Sequence, residues 1–271
     1  MGSGIAEVAA AAGYEVVLRS RSREKADAMV AALAASLTKQ VDKEKRSRQE
    51  ADRIAGRVTT TTRIRDLVDV DLVIESVVED LHVKKALFAE LDSICKPGTI
   101  LATNTSTLPV VEMAMATARP DLVCGIHFFN PAPAMPLVEV VRPVTAGDST
   151  VQAALEFATA CGKDPVEVKD QAGFVVNALL FPYLNNAVRL LEQGVASKEG
   201  IDVAMKGGCG FPMGPFALLD LVGLDTSVAI LDALYDEFRD PNYAAVPLLR
   251  RMVTSGQLGR KAKRGFYDYN R

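Results

Sequence analysis

Apolar positions change their period along the chain, and the change divides it. Ile5, Val8, Ala9 and Ala12 recur at helical spacing ahead of Gly13, which predicts an opening helix stopped by glycine. Glu15-Val16-Val17-Leu18 then reads as a strand. The Ala/Lys/Glu/Arg-rich stretch 23–55 reads as helix in two pieces with a solvated outer face. Short apolar or β-branched runs follow at 58–62, 71–77, 99–103, 122–129, 137–141 and 166–169. Between them, 83–94 has the pattern of an amphipathic helix that stops at Pro97-Gly98. Apolar strands alternating with helices predict a mostly parallel sheet covered on both faces. From Asp170 onward the strand signal stops, and 171–192, 198–205, 215–238 and 246–255 read as helices. The pattern therefore predicts an α/β domain over 1–169 and an all-helical domain over 170–271.

Composition narrows the class. A length of 271 residues fits one or two domains. Lys plus Arg is 31 and Asp plus Glu is 34, a net charge of −3, which excludes a chain built mainly to grip nucleic acid. With 49% hydrophobic and 24% charged residues, global disorder is excluded. No apolar run approaches ~18 residues, so no membrane-spanning helix is expected. Cys95, Cys124, Cys161 and Cys209 are scattered without a C-x-x-C pair, which predicts ordinary thiols in a reducing cytoplasm. His82 and His127 are the only histidines, too few for a multi-histidine metal centre. His82, at a helix start after Glu79-Asp80, reads as a capping or exposed residue.

Five places carry candidate chemistry. Met1-Gly2-Ser3-Gly4-Ile5-Ala6 has the form of the end of a G-x-G-x-x-G turn entering its helix, with Gly2 as the glycine retained. Gly2 alone also fits a plain helix start; the strand at 16–18 lies where a dinucleotide fold places its second strand. That strand ends Leu18-Arg19-Ser20-Arg21, with no carboxylate to bind a ribose hydroxyl. It reads either as a solvated basic loop or as a 2′-phosphate site that prefers NADPH to NADH. Asn104-Thr105-Ser106-Thr107 closes an apolar strand, where open α/β sheets hold ligands; Ser106 reads equally as the cap of the next helix. Most informative is Gly125-Ile126-His127-Phe128-Phe129-Asn130-Pro131 followed by Leu137-Val138-Glu139-Val140-Val141. Each apolar strand carries one polar residue, and a proline-rich turn joins them. If His127 and Glu139 face each other, the carboxylate sets the tautomer and strengthens the base; a hydrogen-bonded core histidine is the competing reading. Asn177 interrupts an apolar run that continues to Leu180, so a buried partner is expected for it.

Jointly these residues resemble the 3-hydroxyacyl-CoA dehydrogenase family, most closely its short-chain 3-hydroxybutyryl-CoA members. The shared motifs run along the whole chain: M-G-S-G-I-A, V-V-E-D, N-T-S, H-F-F-N-P, L-V-E-V-V, G-F-V-V-N, P-M-G-P, D-L-V-G-L-D and R-G-F-Y-D-Y. The resemblance implies a Rossmann-like doubly wound sheet, N-terminally truncated, followed by an all-α domain through which the chain forms a homodimer. It implies His127 as catalytic base held by Glu139, with Ser106 and Asn177 bonded to the substrate oxygen. Glu79, Lys84, Asn130 and Lys261 match positions that contact the nicotinamide cofactor. Ser36 and Lys43 match positions near the tail of coenzyme A. The implied ligands are an acyl-CoA and NADP or NAD, with no metal, nucleic acid or membrane.

Two departures stand out. Ser20 between Arg19 and Arg21 replaces the acid that closes the second strand, which turns the expected preference toward NADP. The first strand and its two glycines are missing, so unpaired backbone is expected in the sheet and weaker pyrophosphate binding with it. A start upstream of Met1 is the expected cause. Two competing readings remain. A lysine-dependent 3-hydroxyacid dehydrogenase would carry G-x-x-x-K where this chain has Asn177. A crystallin-like relative or pseudoenzyme would be non-catalytic.

Overall fold

The computed structural model describes residues 1–270. Its packing separates the chain into two units, Met1–Asp170 and Gln171–Arg271.

In the first unit the strands form two ladders. β1 (Val16–Arg19) and β2 (Val58–Thr61) pair in parallel, Val16 opposite Val58. β3 (Leu72–Glu75), β4 (Ile100–Thr103), β5 (Val123–Phe128), β6 (Leu137–Arg142) and β7 (Asp164–Lys169) form the second ladder, in that order. Among the described residues no ladder joins β1 to β3, which is the gap expected in the sheet where the first strand is missing. All pairs are parallel except β5–β6, which run antiparallel. The short turn between those two strands dictates this, because a parallel pair needs a long crossover.

The opening helix, α1 (Gly2–Ala11), joins what the ladders leave apart. Its Ile5, Val8 and Ala9 pack with Cys124, Ile126 and Val138 of the five-stranded ladder. Its Ala6 and Ala10 pack with Leu18 and with Leu33 and Ile54 of the following helices. A helix apolar on both faces belongs in the core, and Ile5 through Ala10 are all buried.

The helical stretch expected over 23–55 is indeed two helices, α2 (Arg23–Asp42) and α3 (Arg48–Gly56), separated at Glu44 with φ 56°. Ser22 caps the first, and Ser47 with Glu50 forms a capping box on the second. α4 (Leu81–Ile94) is capped by Asp80, whose carboxylate accepts from the Val83 amide at 2.9 Å, while His82 is exposed in the first turn. α5 (Val110–Ala114) has no cap of its own; the Asp170 carboxylate accepts from the Val110 and Val111 amides at 2.9 and 2.7 Å. α6 (Asp148–Ala160) completes the unit.

The second unit contains α7 (Val176–Glu192), α8 (Lys198–Cys209), α9 (Pro215–Val222), α10 (Leu224–Phe238) and α11 (Pro247–Thr254). Two helices are shorter than the periodicity predicts. Gly173 (φ 72°) and Phe174 (φ 47°) take left-handed backbone, so the helix expected over 171–192 starts at Val176. Gly223 (φ 104°) splits the one expected over 215–238. Phe181, Leu184, Phe216, Leu219, Leu234 and Leu249 form the core. Buried Asp220 accepts from the Phe266 and Tyr267 amides at 2.8 Å each and so ties down the closing segment. A Cβ on Gly265 would lie 1.9 Å from Asp220 Oδ1, so only glycine passes there. Among the described residues no helix is long and apolar enough to cross a membrane.

Candidate active site

The central pair arises from strand register. Antiparallel pairing of β5 with β6 sets His127 directly opposite Glu139. Their Nδ1 and Oε2 atoms are 2.8 Å apart, and the residues are 6% and 1% exposed. With Nδ1–H donating to the carboxylate, Nε2 is the basic nitrogen. The ring also packs on Phe129, centroids 4.6 Å apart. Close approach of the strands is set two residues earlier, where a Cβ on Gly125 would lie 2.7 Å from Val141 Cβ. The neighbouring strand is tied in by Asn104, whose side-chain oxygen accepts from the Phe128 amide at 2.8 Å.

At the carboxyl ends of β3 and β4 lies a second polar group. Glu79 Oε1 accepts from the Thr105 hydroxyl, from the Ser106 amide at 2.9 Å and from the Ser106 hydroxyl at 3.4 Å. The first amides of α5 are satisfied by Asp170, so Ser106 is not that helix's cap. Lys84, expected at the cofactor, is 1% exposed and enclosed by carboxylates: Glu75 at 2.8 and 2.9 Å, Glu79 at 3.3 Å. Glu75 also accepts from the Thr103 hydroxyl at 2.8 Å and from the Val77 amide. Glu75 is a site residue that the motifs do not mark. The available signal was an acid at the end of an apolar strand, nine residues before a lysine.

A cleft of about 180 Å³ opens beside the start of α1, lined among others by Ser3, Gly4, Glu7, Ser36, Asn130 and Pro131. It brings together the glycine-rich helix start, Asn130 and Ser36, three features far apart in sequence. Buried Glu7 accepts from Gln40 Nε2 at 2.5 Å, and Gln40 also reaches the Ser36 hydroxyl at 3.4 Å. Lys163 holds the turn after Asn130 by donating to the carbonyls of Ala132 and Met135 at 2.7 and 2.9 Å. Burial pushes its ammonium pKa down. Lys43, at the C-terminal cap of α2, is exposed and outside this lining.

The residues fit a dinucleotide. α1 starts with no acidic residue in its first turn and no side-chain cap, so its amides favour an anion. A Cβ on Gly4 would meet Pro133 at 3.3 Å and Ala132 Cβ at 3.4 Å, so the glycine lets the helix start lie close to the turn after Asn130. At the end of β1, Arg19 carries a buried Nε with no hydrogen-bond partner among the described residues. Ser20 donates its amide to Thr61 at 3.0 Å, and Arg21 is exposed.

Two expected site residues lie in the second unit. Asn177, 8% exposed, is the second residue of α7. Lys261 pairs with Asp225 at 2.6 Å; burial pushes the Asp225 carboxyl up, but the lysine and the backbone amides of Thr226 and Asp225 together hold it below its ordinary value. The thiols offer no nucleophile in the core: burial raises Cys124 to about 12 and Cys161 to about 11.

A buried histidine–carboxylate pair on paired strands, in one unit with a helix start open to an anion, is the architecture of a nicotinamide-dependent dehydrogenase. Comparison with known proteins gives the family. The model of the 3-hydroxyacyl-CoA dehydrogenase NAD-binding domain matches residues 1–171, and that of the family's C-terminal domain matches 173–269. The chain belongs to the 3-hydroxyacyl-CoA dehydrogenase family. It is 49% identical to a 3-hydroxybutyryl-CoA dehydrogenase of Clostridioides difficile, over 100% of this chain and 96% of that protein. The crystal structure of FadB2 from M. tuberculosis superimposes with a TM-score of 0.97 at 48% identity, covering 99% of this chain and 95% of that one. That of an (S)-3-hydroxybutyryl-CoA dehydrogenase from Ralstonia eutropha also gives 0.97, at 40% identity, covering 100% and 96%.

Proposed function

We propose that this chain interconverts a short-chain (S)-3-hydroxyacyl-CoA, 3-hydroxybutyryl-CoA above all, and the corresponding 3-oxoacyl-CoA. The observation that carries the reading is the buried His127–Glu139 pair at 2.8 Å. In the oxidative direction His127 Nε2 takes the proton of the 3-hydroxyl, and Glu139 stabilises the imidazolium that forms. In reduction the same imidazolium returns the proton to the oxygen. Ser106 and Asn177 hydrogen-bond that oxygen and steady its changing charge. A nicotinamide held by these residues would supply the hydride chemistry at C3 of the acyl group. Gly2 and Asn130 border the cofactor's path, with Glu79 and Lys261 as further contacts. Lys84 acts from behind Glu79. Ser36 and Lys43 serve the coenzyme A tail.

The cofactor is NADP in preference to NAD, because Arg19, Ser20 and Arg21 offer a 2′-phosphate two guanidinium groups and a hydroxyl where a ribose-binding acid would stand. The working form is a homodimer built on the second unit, where Leu179, Val195, Val203 and Leu221 stand 72%, 65%, 63% and 50% exposed. Its place is the cytoplasm, where the four thiols stay reduced. The purified chain is assayed for acetoacetyl-CoA-dependent oxidation of NADPH and of NADH, with chiral analysis of the product. Turnover to the (S)-3-hydroxy product is expected. No acetoacetyl-CoA-dependent oxidation with either cofactor overturns the reading.

A further inference from the structure

We infer that Glu75 is a positioning residue: through Lys84 it fixes the carboxylate of Glu79, and with it the Thr105-Ser106 segment at the mouth of the site. The inference rests on the function proposed above, in which Glu79 and Ser106 meet cofactor and substrate.

Glu75 and Lys84 have side chains 1% exposed each, and taking two charges out of water costs several kcal/mol per ion. A buried pair of this kind commonly stabilises no better than two apolar residues of the same volume. Its geometry is nevertheless complete. Both Glu75 oxygens accept from Lys84, and Thr103 and Val77 supply two further donors. Lys84 donates to both Glu75 oxygens and also forms an ion pair with Glu79 Oε2 at 3.3 Å. The row therefore runs outward, from Glu75 and Lys84 at 1% exposure to Glu79 at 38%. At the outer end, Glu79 Oε1 holds the Thr105 hydroxyl and the Ser106 amide. Two of these charges cancel, which leaves one negative charge, oriented by its buried neighbours, at the strand ends. An exposed glutamate without that backing would sample several rotamers.

The test uses the 271-residue chain. Glu75→Gln and Lys84→Met are made singly and together, and melting temperature, NADPH affinity by cofactor fluorescence, and kcat on acetoacetyl-CoA are measured. Lys84→Met alone leaves a buried carboxylate without its partner and lowers the melting temperature most. In the double variant the melting temperature returns toward wild type while kcat stays about 10- to 100-fold down, the scale of a small misplacement of reacting groups. In a Glu79→Gln background the same double substitution costs less than about threefold more, because its effect passes through Glu79. Recovery of kcat together with the melting temperature, or a full additional loss in the Glu79→Gln background, overturns the inference. If the double variant does not fold, Glu75→Asp decides: it keeps the charge but withdraws it by one methylene. A loss of about tenfold in kcat at near-wild-type melting temperature supports positioning, and unchanged kcat overturns it. An inactive wild-type enzyme overturns the functional reading itself, a result distinct from active enzyme with an unimportant Glu75.

Discussion

A carboxylate 2.8 Å from Nδ1 commits the His127 imidazole to one tautomer, and the surrounding apolar strands keep water from competing for it. Both members of the pair were legible in the sequence, because each is a lone polar residue in an apolar run and the short turn between them permits facing positions. Lys84 was legible only as a residue. Its motif resembles a cofactor contact, but three carboxylate distances of 2.8–3.3 Å show it spent inside the protein. Glu75 went unread because an acid at a strand end looks the same whether it meets water or an ammonium group. Arg19 and Ser20 carry the sharpest residue-scale prediction. Ser20→Asp puts an acid where a ribose hydroxyl would be bound and a 2′-phosphate repelled. One charge-assisted hydrogen bond is worth about 1.5–3 kcal/mol, so the ratio of kcat/KM for NADPH over NADH falls by about tenfold or more. An unchanged ratio would remove the phosphate role from this loop.

Among the elements, the β5–β6 ribbon decides the site. Its antiparallel sense pairs His127 with Glu139, and a register shift of one residue would turn one of them to the other face. Periodicity alone cannot give sense or register, which come from the turn and from the space at Gly125. Gly125→Ala places a Cβ 2.7 Å from Val141 Cβ and forces the strands apart just where the pair must meet. The variant loses about 1–3 kcal/mol by thermal or urea unfolding, and its kcat falls while the fold is retained. Wild-type kcat with wild-type stability would show that the strand spacing is not what aligns the pair. Helix ends were the other weak point of the sequence. Gly173, Phe174 and Gly223 stop helices through positive φ, which an apolar repeat running across them conceals. The cap role, one of the two readings open for Ser106, goes to Asp170, about sixty residues from the amides it serves, a distance no local motif signals.

For the molecule as a whole, the alternation of strands and helices followed by helices alone was enough to recognise an α/β unit and a helical unit. The division of the strands into two ladders agrees with the gap expected from the missing first strand, whereas the part α1 plays in joining them depends on packing on both faces of one short helix. The second unit leaves large aliphatic side chains such as Leu179 and Val203 in water, which a self-associating surface would cover. Sedimentation at micromolar concentration is expected to give twice the 29.1 kDa chain mass; a monomer across that range contradicts the dimer. The central claim is that His127 moves the proton. His127→Gln keeps the volume and the polar contact near Glu139 but removes the base. Measured beside wild type on acetoacetyl-CoA at saturating cofactor, it is expected to lose about 10²- to 10⁴-fold in kcat with an unchanged melting temperature. Near-wild-type turnover in that variant would contradict the account.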